Sequence, residues 1–252
     1  MNALANTVES LKQKGVTLFW PVVMLFLRTV FSFSFGLFLW LFFSLMGIQN
    51  AFQETSKWWP LQLIFTNIIT FFILWVLVKK EGIRYCDLFN IDKSKIKKDL
   101  LLLLALIVPF AAISMGAVYG VSFLFYGGPP PEYIYQRLPF LAALLFLIII
   151  PVVNVPVELA VYFGYSMQRI EAATEKTWLA LLLSSFALAF HHLGHPILFD
   201  LKYTVWTFLA YFPIALLVGI IYMKMRRLTM ILIGHFLMDV QLVVFLFLKA
   251  IG

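Results

Sequence analysis

Seven apolar runs, each about as long as a bilayer is thick and each bounded by charges or turn residues, constrain this chain more than any other feature. They are Thr29 to Ile48, Trp58 to Val78, Leu100 to Tyr126, Phe140 to about Ser166, Trp178 to about Leu193, Val205 to Met223, and Leu228 to Leu248. About 20 helical residues cross a hydrocarbon core. Lipid offers the backbone no hydrogen bonds, so such runs must close their own, as helices do. With 63% hydrophobic and only 12% charged residues, the chain has too little polar surface to coat a soluble globule. The expected fold is all-α: a polytopic transmembrane helical bundle of about seven spans.

The first run needs a choice. From Val16 to Ile48 the chain is apolar except for Arg28, too long for one straight crossing. It is read as an interfacial segment through Pro21 to Arg28, with Arg28 snorkelling, followed by a span from Thr29. Residues 1–28 thus form an N-terminal cytoplasmic and interfacial segment, and 29–138 the N-terminal transmembrane helices. The stretch is too long, and lacks a small-residue cleavage site, for a cleaved signal peptide. The tract Gly127-Gly128-Pro129-Pro130-Pro131 is a loop. Pro151 and Pro156 are expected to interrupt the fourth span.

A formal charge of +7 raises nucleic acid as a partner, but the placement of the charges answers it. The N-terminal tail and the second, fourth and sixth loops hold Lys12, Lys14, Lys79, Lys80, Arg84, Lys93, Lys95, Lys97, Lys98, Arg169, Lys176, Lys224, Arg226 and Arg227. The opposite loops and the C-terminus hold Lys57, Arg137, Lys202 and Lys249. The positive-inside rule then puts the N-terminus in the cytoplasm and needs no nucleic acid. The Lys93 to Lys98 cluster would also suit anionic headgroups of the bilayer. The lone cysteine, Cys86, excludes an internal disulfide and a thiolate metal cluster.

Ionisable groups at membrane depth cost about 2.5 to 3.5 kcal/mol on insertion scales and are functional candidates by default. They are Glu158 in the fourth span, His191, His192 and His195 at the end of the fifth, and His235 and Asp239 in the seventh. None has an obvious Lys or Arg partner in a neighbouring span. His235 and Asp239 are four residues apart and share a helix face. Asn154 and Glu158 share one only if the helix runs through Pro156. His192 and His195 share a face, with His191 rotated away and, like His195, expected to be interfacial. Such a set suits a general base activating water, a His/carboxylate metal site, or a proton relay.

Taken in order, Glu158-Leu159-Ala160-Val161-Tyr162-Phe163-Gly164-Tyr165, Ser184-Ser185 followed by His192, and His235 with Asp239 resemble the CPBP family, the type II CAAX prenyl proteases and bacteriocin-processing (Abi-like) membrane proteases. Its three motifs are two adjacent glutamates followed by arginine and glycine, Phe-x-x-x-His, and His-x-x-x-Asn or Asp. The resemblance covers roughly Pro151 to Val240 and makes 139–252 the catalytic transmembrane core. It implies that Glu158, assisted by His192, activates a water for attack on a peptide carbonyl, with His235 and Asp239 at the oxyanion. Leu159 and Phe163 replace the second glutamate and the arginine, and Leu188 replaces the phenylalanine. Replacing both members of an ion pair by apolar residues is compatible with stability. No cofactor is demanded; a divalent metal such as zinc would fall to Glu158, His192 and His235.

The function so implied is an intramembrane endopeptidase of a cell membrane, acting on a membrane-associated, prenylated or leader peptide. Two alternatives stand beside it. One is a catalytically silent CPBP-like scaffold or immunity protein, on account of Leu159 and Phe163. The other is a proton-coupled transporter using the same ionisable groups.

Overall fold

The structure, a computed structural model, describes residues 7–131 and 136–252. Residues 1–6 of the N-terminal segment and 132–135 of the loop after the third span lie outside it. The described residues form helices and no strands. In chain order these are α1 (Val8–Lys14), α2 (Phe19–Leu45), α3 (Ala51–Lys57), α4 (Trp59–Lys80), α5 (Ile96–Tyr126), α6 (Phe140–Leu159), a π-helical segment (Ala160–Met167), α7 (Gln168–Thr174), α8 (Thr177–His191), α9 (Leu201–Met225) and α10 (Thr229–Ile251). Among the described residues, seven stretches are long and apolar enough to cross a membrane. These residues thus form an all-helical bundle with seven stretches that could span a bilayer, as the apolar runs imply.

The first span corrects the expectation drawn from its length. α2 is a single 27-residue helix beginning at Phe19, with no break at Arg28. Pro21 sits in its first turns, where the missing N–H leaves no helix bond unmade. At about 1.5 Å per residue it is some 40 Å long, more than the hydrocarbon core needs, and such helices tilt. Its buried face runs through Met24, Leu25, Arg28, Ser32, Gly36 and Leu39, one stripe at helical spacing. Arg28 therefore points into the protein and is fully buried rather than snorkelling.

The fourth span is the centre of the bundle. Its π-helical residues Ala160 to Met167 are all buried, as expected of a helix apolar on every side. The prolines do not interrupt it: α6 runs continuously through Pro151 and Pro156. The irregularity comes just afterwards, where the Ala160 N–H bonds Val157 O. The carbonyl of Pro156 is then served by the Tyr85 hydroxyl, which donates to it at 3.2 Å. That accounts for a backbone acceptor that lipid would leave bare.

The basic tail and loops meet at one end of the bundle through ion pairs. Lys12 Nζ lies 2.9 Å from Glu175 Oε1, Arg169 Nε 3.0 Å from Glu81 Oε1, Arg226 Nη2 2.8 Å from Glu171 Oε1 and Arg227 Nε 2.9 Å from Asp99 Oδ2. α5 lies at the periphery, with Asp99 and Ser122 its buried residues. It ends at Gly127, whose φ of 67° closes the helix in the left-handed region.

Gly164 is where the central helix meets the loop after the second span. A Cβ there would sit 2.7 Å from the backbone carbonyl of Leu88, which cannot rotate away. Gly164→Ala is expected to lower stability by about 1–3 kcal/mol through overpacking, read as a lower thermal midpoint of the detergent-solubilised protein. Gly116→Ala, with open space at its Cβ, serves as the neutral control.

Candidate active site

Four spans deliver polar side chains to one buried layer, and each arrives by simple helix geometry. With α6 continuous, Asn154 and Glu158 are one turn apart on the same face, and both are buried. α10 presents His235 and Asp239 in the same relation. α2 contributes Arg28, and α4 contributes Asn67, both buried.

Glu158 is not without a basic partner: Arg28 Nη1 donates to its Oε2 at 3.1 Å, and the two side chains are 0% and 4% exposed. Arg28 Nη2 donates to Asn67 Oδ1 at 2.8 Å and to Asn154 Oδ1 at 3.0 Å. Asn67 Nδ2 reaches the same Asn154 oxygen at 3.1 Å, and Asn154 Nδ2 donates to Asp239 Oδ2 at 3.0 Å. On the other side of Glu158, His235 Nε2 lies 3.4 Å from Oε1 and 3.5 Å from Asp239 Oδ1. The five side chains close into a ring, Arg28–Glu158–His235–Asp239–Asn154, with Asn67 bracing Arg28.

The fifth span supplies histidines by a different route. α8 ends at His191, and the turn His192–Gly194 that follows continues the fifth stretch within the protein. The turn is tied to the first two spans: Ser32 Oγ donates to Gly194 O at 2.9 Å, and Gln62 Nε2 also donates to that carbonyl. His195 Nδ1 is 3.5 Å from Ser32 Oγ, and its ring stacks on Trp59 with centroids 6.1 Å apart.

The helix ends at His191, so regular helical spacing does not order the three imidazoles. They gather instead, with centroid separations of 4.5 Å for His191 and His195, 5.5 Å for His192 and His195, and 5.9 Å for His191 and His192. His191, expected at the interface, is fully buried and lies 3.9 Å from Glu158 Oε2 through Nε2. His192, the motif-matched residue, has Nδ1 2.9 Å from Leu188 O and stacks on Tyr211 at 3.9 Å. Of these three, His191 is the imidazole within ion-pair range of the carboxylate.

The structure thus brings Glu158, His235 and Asp239 together and places His192 in the adjoining histidine cluster. It adds Arg28, Asn67, Asn154 and His191. Leu159 and Phe163, in place of the motif's charged pair, are buried in the apolar core, Phe163 against Tyr222 with ring centroids 5.8 Å apart. As for a metal, among the described residues no three His, Cys, Asp or Glu side chains form a group able to hold one. The trio Glu158, His192 and His235 is not such a group, and the guanidinium on Glu158 is ill suited to a neighbouring cation.

Residues 139–241, from the start of α6 into α10, match the family described as type II CAAX prenyl endopeptidase Rce1-like. The match covers 103 of the 252 residues and supports a CPBP-type segment. That family is one of proteases, so the ring of polar side chains lies in a protease-family region, completed by two residues from the first two spans. No curated protein and no solved structure matches the chain.

Asn154 is the junction of the ring, serving Arg28, Asn67 and Asp239 at once. Asn154→Leu is expected to destabilise the protein by about 2–4 kcal/mol, since it strands donors and acceptors around two charged groups. Thermal unfolding of the purified variant beside Val152→Leu, an exposed site on the same helix, reads this out.

Proposed function

We propose that the chain is an intramembrane endopeptidase that hydrolyses a peptide bond of a membrane-associated substrate, with Glu158 as the general base. What carries this reading is the position of the Glu158 carboxylate, with one oxygen facing His235 and the other Arg28 and His191, inside a segment of protease type.

The chemistry follows from the groups. Glu158 takes a proton from a water, and the water oxygen attacks the peptide carbonyl carbon. The negative charge moves to the carbonyl oxygen, where the His235 imidazole donates to it. Collapse breaks the C–N bond, and the proton held by Glu158 passes to the leaving amine. Asp239 holds His235 from one turn away; as a carboxylate already accepting from Asn154, it orients the ring rather than donating to the oxyanion. His191 is better placed than His192 to assist Glu158, and His192 buttresses it within the cluster.

Substrate reaches the site from the lipid side. A shallow apolar groove of about 380 Å³ lies between α6 and α10, lined by Val152, Val155, Pro156, Leu232, Ile233 and Phe236 beside Pro151. These residues flank Asn154, Glu158 and His235 along their helices, so an apolar anchor seated there sets its peptide near the carboxylate. A prenylated peptide of the CAAX class is the substrate suggested by the family. The distribution of basic residues supports an N-terminus in the cytoplasm, and the reading puts the protein in a cell membrane.

Cleavage of a farnesylated CAAX peptide by the protein reconstituted in vesicles tests the proposal. The wild type is expected to release the C-terminal tripeptide. Glu158→Gln is expected to lose about 10²–10⁴-fold in rate. His191→Ala is expected to lose more than His192→Ala. Equal cleavage by wild type and Glu158→Gln, or none by either across prenylated and leader peptides, contradicts it and favours a silent scaffold.

A further inference from the structure

We propose that Arg28 is a positioning residue of the site: the first span supplies the counter-charge that lets Glu158 serve as an ionised base inside the bilayer. The inference rests on the reading of Glu158 as the base, and it enlarges the site beyond residues 139–241. Arg28 stands 130 positions from its partner in sequence and outside the segment of protease type.

The geometry assigns the role to this residue. A carboxylate shut away from water is stable as an anion only beside a compensating charge, and otherwise holds its proton. A protonated Glu158 has no capacity to take a proton from water. The groups facing it are Arg28, His191, His235 and, through His235, Asp239, with His192 and His195 further out in the histidine cluster. Asp239 adds a second negative charge, and a histidine at this depth is a variable cation. The guanidinium is the one permanent positive charge in the ring.

Its orientation is fixed as well. Nη2 is held by Asn67 from α4 and Asn154 from α6, and the guanidinium carbon lies 5.6 Å from the centre of the Tyr162 ring. Nη1 is thereby presented to Oε2 alone, and Oε1 is left to the His235 side where the water must sit. Arg28 clamps one oxygen of the base and leaves the other to react. Phe163 removes the arginine of the first motif from the central helix; Arg28 brings a guanidinium to Glu158 from a different helix.

Dicyclohexylcarbodiimide, an apolar reagent that adds to protonated carboxyls in apolar surroundings and leaves an N-acylurea, reads the protonation of Glu158 without any substrate. The full-length protein in lipid nanodiscs is treated with it and the adduct located by peptide mass spectrometry. Glu158 is expected to be unlabelled in the wild type and in Arg28→Lys, which keeps the charge, and labelled in Arg28→Met. Loss of that label in Arg28→Met/Glu158→Gln confirms the site of reaction. Labelling of Glu158 in the wild type to the same extent as in Arg28→Met, or its absence from well-folded Arg28→Met, overturns the proposal. Should Arg28→Met fail to fold, recovery of the folded protein by adding Glu158→Gln supports the pairing, and failure to recover contradicts it. Failure of the wild type to cleave any peptide would overturn the protease reading and leave the labelling result standing.

Discussion

A guanidinium and a carboxylate, 3.1 Å apart and together almost wholly removed from solvent, hold the interior of this bundle to one arrangement. Neither charge is tolerable alone at that depth. Stripping one partner from a buried pair costs about 3–5 kcal/mol, a large share of the net stability of any domain. Arg28 and Glu158 therefore have to meet, and in meeting they fix α2 against α6. The asparagines carry the constraint further, to α4 through Asn67 and to α10 through Asn154 and Asp239. A pair of well-packed apolar side chains would serve stability equally well or better. Such an expensive arrangement, kept inside a segment of protease type, fits a chemical purpose.

The irregular backbone lies around this layer. The π-helical segment begins two residues after Glu158, and Tyr85 donates to the Pro156 carbonyl just before it. The turn after α8 is held by Ser32 of α2 and Gln62 of α4. Both departures lie beside polar groups, the carboxylate in one case and three imidazoles in the other. Backbone of this kind is tolerated inside a membrane when protein surrounds it.

Much of this was legible in the chain itself. The seven spans follow from apolar runs, and the pairing of His235 with Asp239 follows from their spacing of four. Arg28 was hidden because hydropathy near a helix start reads a single arginine as snorkelling, and only the tertiary packing shows that it lies on the buried stripe with Ser32 and Gly36. A signal was nevertheless present in the second span. Gln62, Thr66 and Thr70 recur every four residues beside Asn67, a polar stripe facing inward that predicts a polar partner on a neighbouring helix. His192 enters through the motif register set from Ser184-Ser185, and register alone does not show which imidazole lies nearer Glu158; the helix ends between His191 and His192, and it is His191 that stands 3.9 Å from the carboxylate. Pro156 misled in the opposite direction: α6 continues through it, and the irregular backbone comes after Glu158 instead.

The contact between Arg28 and Glu158 is directly measurable in lipid. With ¹⁵N-labelled arginine and ¹³C-labelled glutamate in the reconstituted protein, solid-state NMR dipolar dephasing reports guanidinium nitrogens close to carboxylate carbons. The exposed and end-of-bundle pairs contribute to the same signal, so the quantity of interest is the difference between wild type and Glu158→Gln. A dephasing component from a nitrogen–carbon separation of about 4 Å, present in the wild type and missing from both Glu158→Gln and Arg28→Lys, is the predicted result. Identical dephasing in all three proteins would mean that the two charges do not meet, and would contradict the account at its centre.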